Sequence, residues 1–176
     1  MRRVVVIASA SGSGKTTLAA ALGARLGLPV IELDALVHQA NWVEISDAEL
    51  RERITPILAS DGWVIDGAYR RKLGDVVLEA ADTVVWLDLP IHIWFPRLVR
   101  RSWRRWSRSE VLWNGNRETL RAVVWGRDSL LGYALRMHFR NRRELPRALA
   151  RFDVTRLRTT DEVAAFVDHA CDSVAR

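Results

Sequence analysis

The chain has 176 residues, 49% apolar and 27% charged, which suits one globular domain with a full core and excludes a disordered chain. A single cysteine, Cys171, excludes a disulfide framework and a zinc cluster; no stretch approaches the roughly 20 apolar residues of a membrane span, so a cytoplasmic setting is expected. The net charge is +6, and all but Lys15 and Lys72 of the 27 basic residues are arginine, a bias that suits phosphate binding by guanidinium forks but that GC-rich coding would also produce.

In chain order, the β-branched run Val4 to Ala8 predicts a short buried strand. Leu18, Leu22 and Leu26 then share one face of a helix that stops at Gly27, before Pro29. Val30 to Leu33 predicts a second strand, and Ser46-x-x-Glu49 caps a helix reaching about Ala59. Trp63 to Asp66 and Thr83 to Asp88 predict the third and fourth strands. The Arg- and Trp-rich section from about 91 to 150 reads as mostly helical, broken near Asn114-Gly115-Asn116, with continuity through Pro146 in doubt. Val154 to Leu157 predicts the fifth strand, and Thr159-x-x-Glu162 caps a last helix. Strands alternating with helices imply an α/β fold, a parallel sheet with helices on both faces, in one domain over residues 1–176. Ligands of such sheets bind beyond the carboxyl ends of the strands. Asp34, Asp66 and Asp88 each end a predicted strand and should gather there.

The residues between the first strand and first helix carry the sharpest chemistry. Glycines 12 and 14 let the backbone curl so that successive N–H groups face phosphate oxygens, and the positive end of the following helix adds to the attraction. Ser11, Gly12, Ser13, Gly14, Lys15, Thr16 and Thr17 are therefore the candidate nucleotide-phosphate cradle. Lys15 is expected to reach the β- and γ-phosphates of a bound nucleotide, and the Thr16 hydroxyl to ligate Mg²⁺. The one departure from the G-x-x-x-x-G-K-[ST] pattern is Ser9 at its first glycine. A magnesium-shell carboxylate should come from a neighbouring strand, and both Asp66 and Asp88 qualify by position. Each could also serve as a helix N-cap. Asp34 is the candidate to take the proton of an attacking hydroxyl or to orient the acceptor.

Arg97, Arg100, Arg101, Arg104, Arg105 and Arg108 fall within one helical arc of roughly 140°. Leu98, Val99, Trp103 and Trp106 are expected on the opposite side. Like charges without interleaved acids repel unless an anion lies near, so the stripe points to polyphosphate or nucleic acid. Six tryptophans fall between 86 and 125, mostly as expected core or lid packing.

On these residues the chain resembles the adenylate-kinase-related P-loop kinases, above all the small bacterial proteins of the topology-modulation-like and uncharacterised adenylate kinase group. Trp63-Val64-Ile65-Asp66-Gly67-Ala68-Tyr69-Arg70 is similar to that group's W-x-I-D-G-N-Y segment, with Ala68 where the group has Asn. It also matches the L-D-G-F-P-R segment of adenylate kinases, which implies Asp66 as the magnesium-shell acid and Arg70 as a substrate-phosphate residue. Leu87-Asp88-Leu89-Pro90 resembles the strand before the adenylate kinase lid. The arginines that follow that proline in the family correspond to Arg97 and Arg101, which implies an ATP clamp, with Arg101 on the phosphates and a lid over about 102–126. The loop Arg158 to Thr160, with Thr159, would lie against adenine. The nucleoside-monophosphate signature is missing between Leu33 and Asp61, and Glu32-Leu33-Asp34 is instead similar to the acceptor-binding acid of shikimate-type kinases. The resemblance implies a P-loop NTPase three-layer sandwich of five parallel strands with an Arg/Trp-rich helical lid. The implied activity is ATP- and Mg²⁺-dependent transfer of a phosphoryl group to a small-molecule or nucleotide acceptor, by a monomer or homodimer. The competing expectation is a nucleotide-binding or weakly ATP-hydrolysing regulatory module that binds nucleic acid, with Arg136, Arg140, Arg143 and Arg147 as a second basic stripe.

Overall fold

A computed structural model describes residues 1–116, 123 and 129–170. Five parallel strands form one sheet in the order β2-β3-β1-β4-β5. They are β1 (Arg3–Ala8), β2 (Val30–Glu32), β3 (Trp63–Asp66), β4 (Thr83–Leu87) and β5 (Val154–Leu157). The β-branched runs form central strands because burial on both faces suits them. Val5 and Ile7 pack with Trp63, Ile65, Val84 and Trp86 on one face, while Val4 and Val6 pack with Val64, Val85 and Leu87 on the other. Each fully buried valine contributes about 1.5–3 kcal/mol relative to exposure.

The first face is covered by α2 (Leu33–Val37), α3 (Asp47–Ala59), α4 (Arg70–Leu73) and α5 (Val76–Glu79), and by the end of α7 (Leu130–Ala148) through Leu145 and Leu149. The second face is covered by α1 (Lys15–Leu26) and α8 (Thr160–His169). This is a three-layer α/β sandwich, as expected. The long α6 (Ile91–Ser107) packs Trp94 and Leu98 against Ala10 and against Ala134 of α7, across the carboxyl edge of the sheet.

Both sequence-predicted caps are present. Ser46 Oγ accepts from the Glu49 N–H, and Thr159 with Glu162 forms a reciprocal capping box. Three expectations need correction. The second strand stops at Glu32 and Leu33 opens a helix, so Asp34 lies in the first turn of α2 rather than at a strand end. Helix α7 runs through Pro146 to Ala148, with Pro146 in its last turn. In α6 the buried stripe is Trp94, Leu98 and Ser102; Trp103 is 60% and Val99 39% exposed, so the side opposite the arginines is only partly covered. Trp125, Cys171 and most of the second half of the expected lid lie outside the described residues.

Candidate active site

The sheet delivers the phosphate-type loop to the edge its sequence anticipates. Gly12 (φ 84°) and Gly14 (φ 93°) both occupy the left-handed region, which only glycine enters without strain. A Cβ on Gly12 would stand 2.8 Å from Leu98 Cβ and 2.9 Å from the Trp94 carbonyl, so the loop and α6 approach at backbone distance. Nothing lies within 4 Å of a Cβ on Gly14. Between them the buried Ser13 hydroxyl donates to the Ala10 carbonyl at 2.8 Å and pins the curl.

Lys15 and Thr16 open α1 and meet the carboxylate that ends β3. Lys15 Nζ is 2.6 Å from Asp66 Oδ1, and the Thr16 hydroxyl donates to Asp66 Oδ2 at 2.5 Å. Asp66 is only 4% exposed, so both bonds form where water competes little. Register explains the meeting. Val6 pairs with Asp66 across β1 and β3, and the Gly67 N–H continues the ladder to the Val6 carbonyl at 2.9 Å.

The other strand-end acid, Asp88, has different neighbours. Its side chain is fully buried and binds the Ser9 hydroxyl (2.7 Å), Arg142 Nε (3.2 Å) and Arg156 (Nε 3.1 Å, Nη2 2.5 Å). Trp86 Nε1 donates to the same Ser9 oxygen at 2.9 Å, and Asn141 donates to the Ser9 carbonyl at 3.0 Å. Neither aspartate is a helix N-cap; Tyr69 and Pro90 occupy those positions in α4 and α6. Sequence reasoning passed over Ser9 as a departure from a pattern. Arg142 and Arg156 carry no local signal, because their partner is far along the chain.

Asp34 sits in a polar wall beside Lys15. The Tyr69 hydroxyl donates to Asp34 Oδ1 at 2.6 Å and lies 3.3 Å from His38 Nε2. Its single proton is committed to Asp34, so the phenol can only accept from His38, which assigns the Nε2 proton to that ring. Burial, and then the charge of Asp34, push the Tyr69 pKa far up, so it remains a donor. A Cβ on Gly67 would lie 3.8 Å from Lys15 Nζ, 3.9 Å from Leu33 Cβ and 3.9 Å from Tyr69 Cδ2, which puts this wall next to Lys15. Glu32, the register partner of Asp66, accepts from Trp113 Nε1 at 3.2 Å.

The segment Asn114-Gly115-Asn116, where a break in the helical section is expected, closes this wall. Asn114 donates to the His38 carbonyl and Asn116 to the Gln39 carbonyl, while Asn116 Oδ1 accepts from the Trp42 N–H. Trp42 meets the His38 ring edge-on at 5.5 Å, and Trp113 stacks on it at 6.4 Å. Sequence reasoning missed Tyr69, His38 and Trp113, although Tyr69 stood inside a segment it quoted.

The remaining candidates are dispersed. Arg70 Nε binds Asp75 at 2.6 Å, and Arg151 joins the same carboxylate at 2.8 Å; the Arg70 bond and then the Arg151 bond hold Asp75 below the usual carboxylate range. Arg97 is exposed in the turn of α6 that meets Gly12, and Arg101 is half-buried one turn on. The Thr159 hydroxyl is occupied by its cap. The arginine stripe does have an acid nearby, since Arg104 lies 3.8 Å from Glu110. Among the described residues there is no group of three or more His, Cys, Asp or Glu able to hold a metal, and no helix long and apolar enough to cross a membrane.

No family model matches the chain, and no curated protein matches it in sequence. Solved structures do share its shape. A gluconokinase from Sinorhizobium meliloti 1021 is 23% identical with a TM-score of 0.56, over 99% of this chain and 92% of that one. A shikimate kinase from Bacteroides thetaiotaomicron is 13% identical with a TM-score of 0.60, over 99% of each chain. A deoxyadenosine kinase from M. mycoides, solved with bound dCTP, is 10% identical with a TM-score of 0.56, over 97% of this chain and 98% of that one. At these identities the likeness is one of fold, the α/β fold that these three kinases share.

Proposed function

We propose that this protein transfers the γ-phosphoryl group of ATP, with Mg²⁺, to a hydroxyl of a small acceptor. The observation that carries the reading is the convergence of Lys15 Nζ and Thr16 Oγ1 on the two oxygens of Asp66, at 2.6 and 2.5 Å, under a loop curled by two left-handed glycines. A hydroxyl and a carboxylate side by side are the hard oxygen donors that suit Mg²⁺. The open position at Gly14 and the start of α1 suit phosphate. Thr16 and Asp66 would hold the metal, which when bound neutralises phosphate charge.

The chain's own groups would then work as follows. Lys15, now balanced by Asp66, exchanges that carboxylate for phosphate oxygens and steadies the charge that spreads over the transferring group. Asp34, with one oxygen held by Tyr69, orients the acceptor hydroxyl and takes its proton. The new bond joins the acceptor oxygen to phosphorus as the bridge to ADP breaks. Arg97 and Arg101 on α6 would close on the nucleotide. Thr159 serves the nucleotide side through its loop rather than its capped hydroxyl. Arg70 acts within the Asp75 network instead of on phosphate. The gluconokinase, shikimate kinase and deoxyadenosine kinase structures support phosphotransfer in this fold. They speak against the nucleic-acid-binding alternative.

The test is ADP release from ATP–Mg²⁺ against nucleosides, nucleotides, sugars and small hydroxy acids. Lys15→Ala should lower turnover by about two orders of magnitude, the usual loss for one charge-stabilising group. Acceptor-stimulated ADP release that is equal in wild type and Lys15→Ala would refute the reading.

A further inference from the structure

We infer that the acceptor is an uncharged compound bearing adjacent hydroxyl groups, not a phosphate- or carboxylate-bearing one. The inference rests on the phosphotransfer reading and concerns the wall that faces Lys15 from β2 and α2. That wall offers acceptors of hydrogen bonds. Glu32 and Asp34 are both carboxylates, and the bonds they receive come from neutral donors, the Trp113 indole (3.2 Å) and the Tyr69 phenol (2.6 Å). Among the described residues these neutral groups are their partners, so their negative charge is oriented by hydrogen bonds without an ion pair. Two cations on the adjoining described segments, Arg70 and Lys72, are engaged elsewhere. Arg70 Nε is on Asp75, and Lys72 Nζ bonds the Ile45 carbonyl while pairing with Glu44 and Asp47.

Two oriented carboxylates, two residues apart on the chain, match the donor pattern of vicinal hydroxyls, each O–H giving a charge-assisted bond. The same pair repels an anionic substituent at close range. Discrimination of this kind arises as much from what the site rejects as from what it holds. The wall is also built to stay in place. Asn41, Trp42, Tyr69 and Asn114 belong to it or to the segments that clamp it, and all four carry positive φ without being glycine. Strain of that sort persists only where surrounding contacts over-determine the backbone. Asn114 and Asn116 supply such contacts by bonding the carbonyls of His38 and Gln39.

The experiment compares matched pairs that differ in one charged group: an aldose and its aldonic acid, a polyol and its phosphate, a nucleoside and its 5′-monophosphate. ADP release with ATP–Mg²⁺ should show kcat/KM at least about tenfold higher for the neutral member of the pair the enzyme uses. Glu32→Gln should narrow that ratio by about tenfold, since it removes a repelling charge and keeps a carbonyl acceptor. A preference for the anionic member would overturn the inference and leave phosphotransfer standing. If no pair gives ADP while ATP–Mg²⁺ still binds, phosphotransfer fails instead. Calorimetric titration of the same pairs with ADP–Mg²⁺ present then decides the acceptor class. Binding of the neutral members upholds it, and binding of the anionic members, or of none, overturns it.

Discussion

Gly12→Ala and Gly14→Ala separate two reasons for a glycine, because the two positions share a backbone conformation and differ in surroundings. At φ 84° and 93°, alanine at either site meets the left-handed penalty of about 1–2 kcal/mol, partly offset by about 0.4–1 kcal/mol from the stiffer unfolded chain. Gly14→Ala should therefore cost about 1 kcal/mol, since its Cβ meets nothing within 4 Å. At Gly12 the new Cβ stands 2.8 Å from Leu98 Cβ, 2.9 Å from the Trp94 carbonyl and 3.1 Å from the Leu98 N. Two of those three atoms are backbone, so relief requires α6 to move. Overpacking of that kind adds about 1–3 kcal/mol and brings the total to about 3 kcal/mol. For a chain of this size each kcal/mol lowers Tm by about 2–4 °C. Gly14→Ala should thus lose about 2–4 °C and Gly12→Ala about 6–12 °C in thermal unfolding, with the same order in urea midpoints. Equal losses would refute the claim that the loop is seated on α6 at backbone distance.

Asp88→Asn should destabilise by about 2–3 kcal/mol in urea unfolding and raise the KM for ATP, because Arg142, Arg156 and Ser9 lose the carboxylate they share; the figure is below that of a fully buried pair since both arginines are partly exposed. Unchanged stability would show that the network is ornamental. His138 is fully buried with neither ring nitrogen bonded, and burial, then Arg142, lower its pKa while Asp88 opposes them. Stability should be full above the unfolded value of about 6.5 and fall as pH drops below it, since the unfolded chain then binds the proton more readily. His138→Leu should flatten that slope between pH 7 and 5; an unaltered slope would assign it to other groups. Tyr69→Phe should raise the acceptor KM about tenfold by freeing Asp34. The raised Tyr69 pKa predicts no rate loss near pH 10 that this variant abolishes.

What the sequence disclosed follows the range of each interaction. The candidate cradle from Ser11 to Thr17 is a local object: two glycines, a lysine and the Thr16 hydroxyl within seven residues, between a strand and a helix whose periods are visible. The caps at Ser46 and Thr159 are local too, and both formed. Asp34 was placed in the wrong element because Leu33 suits a strand end and a helix start equally, and only packing of α2 under Val37 decides between them. The choice between Asp66 and Asp88 lay beyond local pattern, since both end β-branched strands. It is the register of β1 against β3 that brings Asp66 to Thr16. Arg70 matched a family segment, yet Asp75, five residues on, takes its Nε. The tyrosine beside it carries more of the wall, through a positive φ that no propensity forecasts for a bulky residue.

Ser9 is where the two halves of the reading meet. A glycine at the start of the loop pattern serves a backbone that must pass close to its neighbours. Here the position is fixed by other means. The Ser9 N–H continues the sheet ladder to the Leu87 carbonyl at 3.0 Å, and its hydroxyl, fully buried, donates to Asp88 and accepts from Trp86. The Arg156 guanidinium that binds Asp88 also lies 4.1 Å over the Trp86 ring. A side chain has thus replaced glycine without loosening the loop, because β4, β5 and α7 all hold it through one carboxylate. That arrangement accounts for both the departure from the phosphate-loop pattern and the engagement of Asp88 away from Thr16. It also requires Ser9→Gly to weaken the loop rather than improve it. The variant leaves the Trp86 donor and one Asp88 lone pair unpaired in a buried place, at a cost of about 1–3 kcal/mol. Restoration of the consensus glycine with a gain in stability would mean that the network follows from the loop and does not hold it.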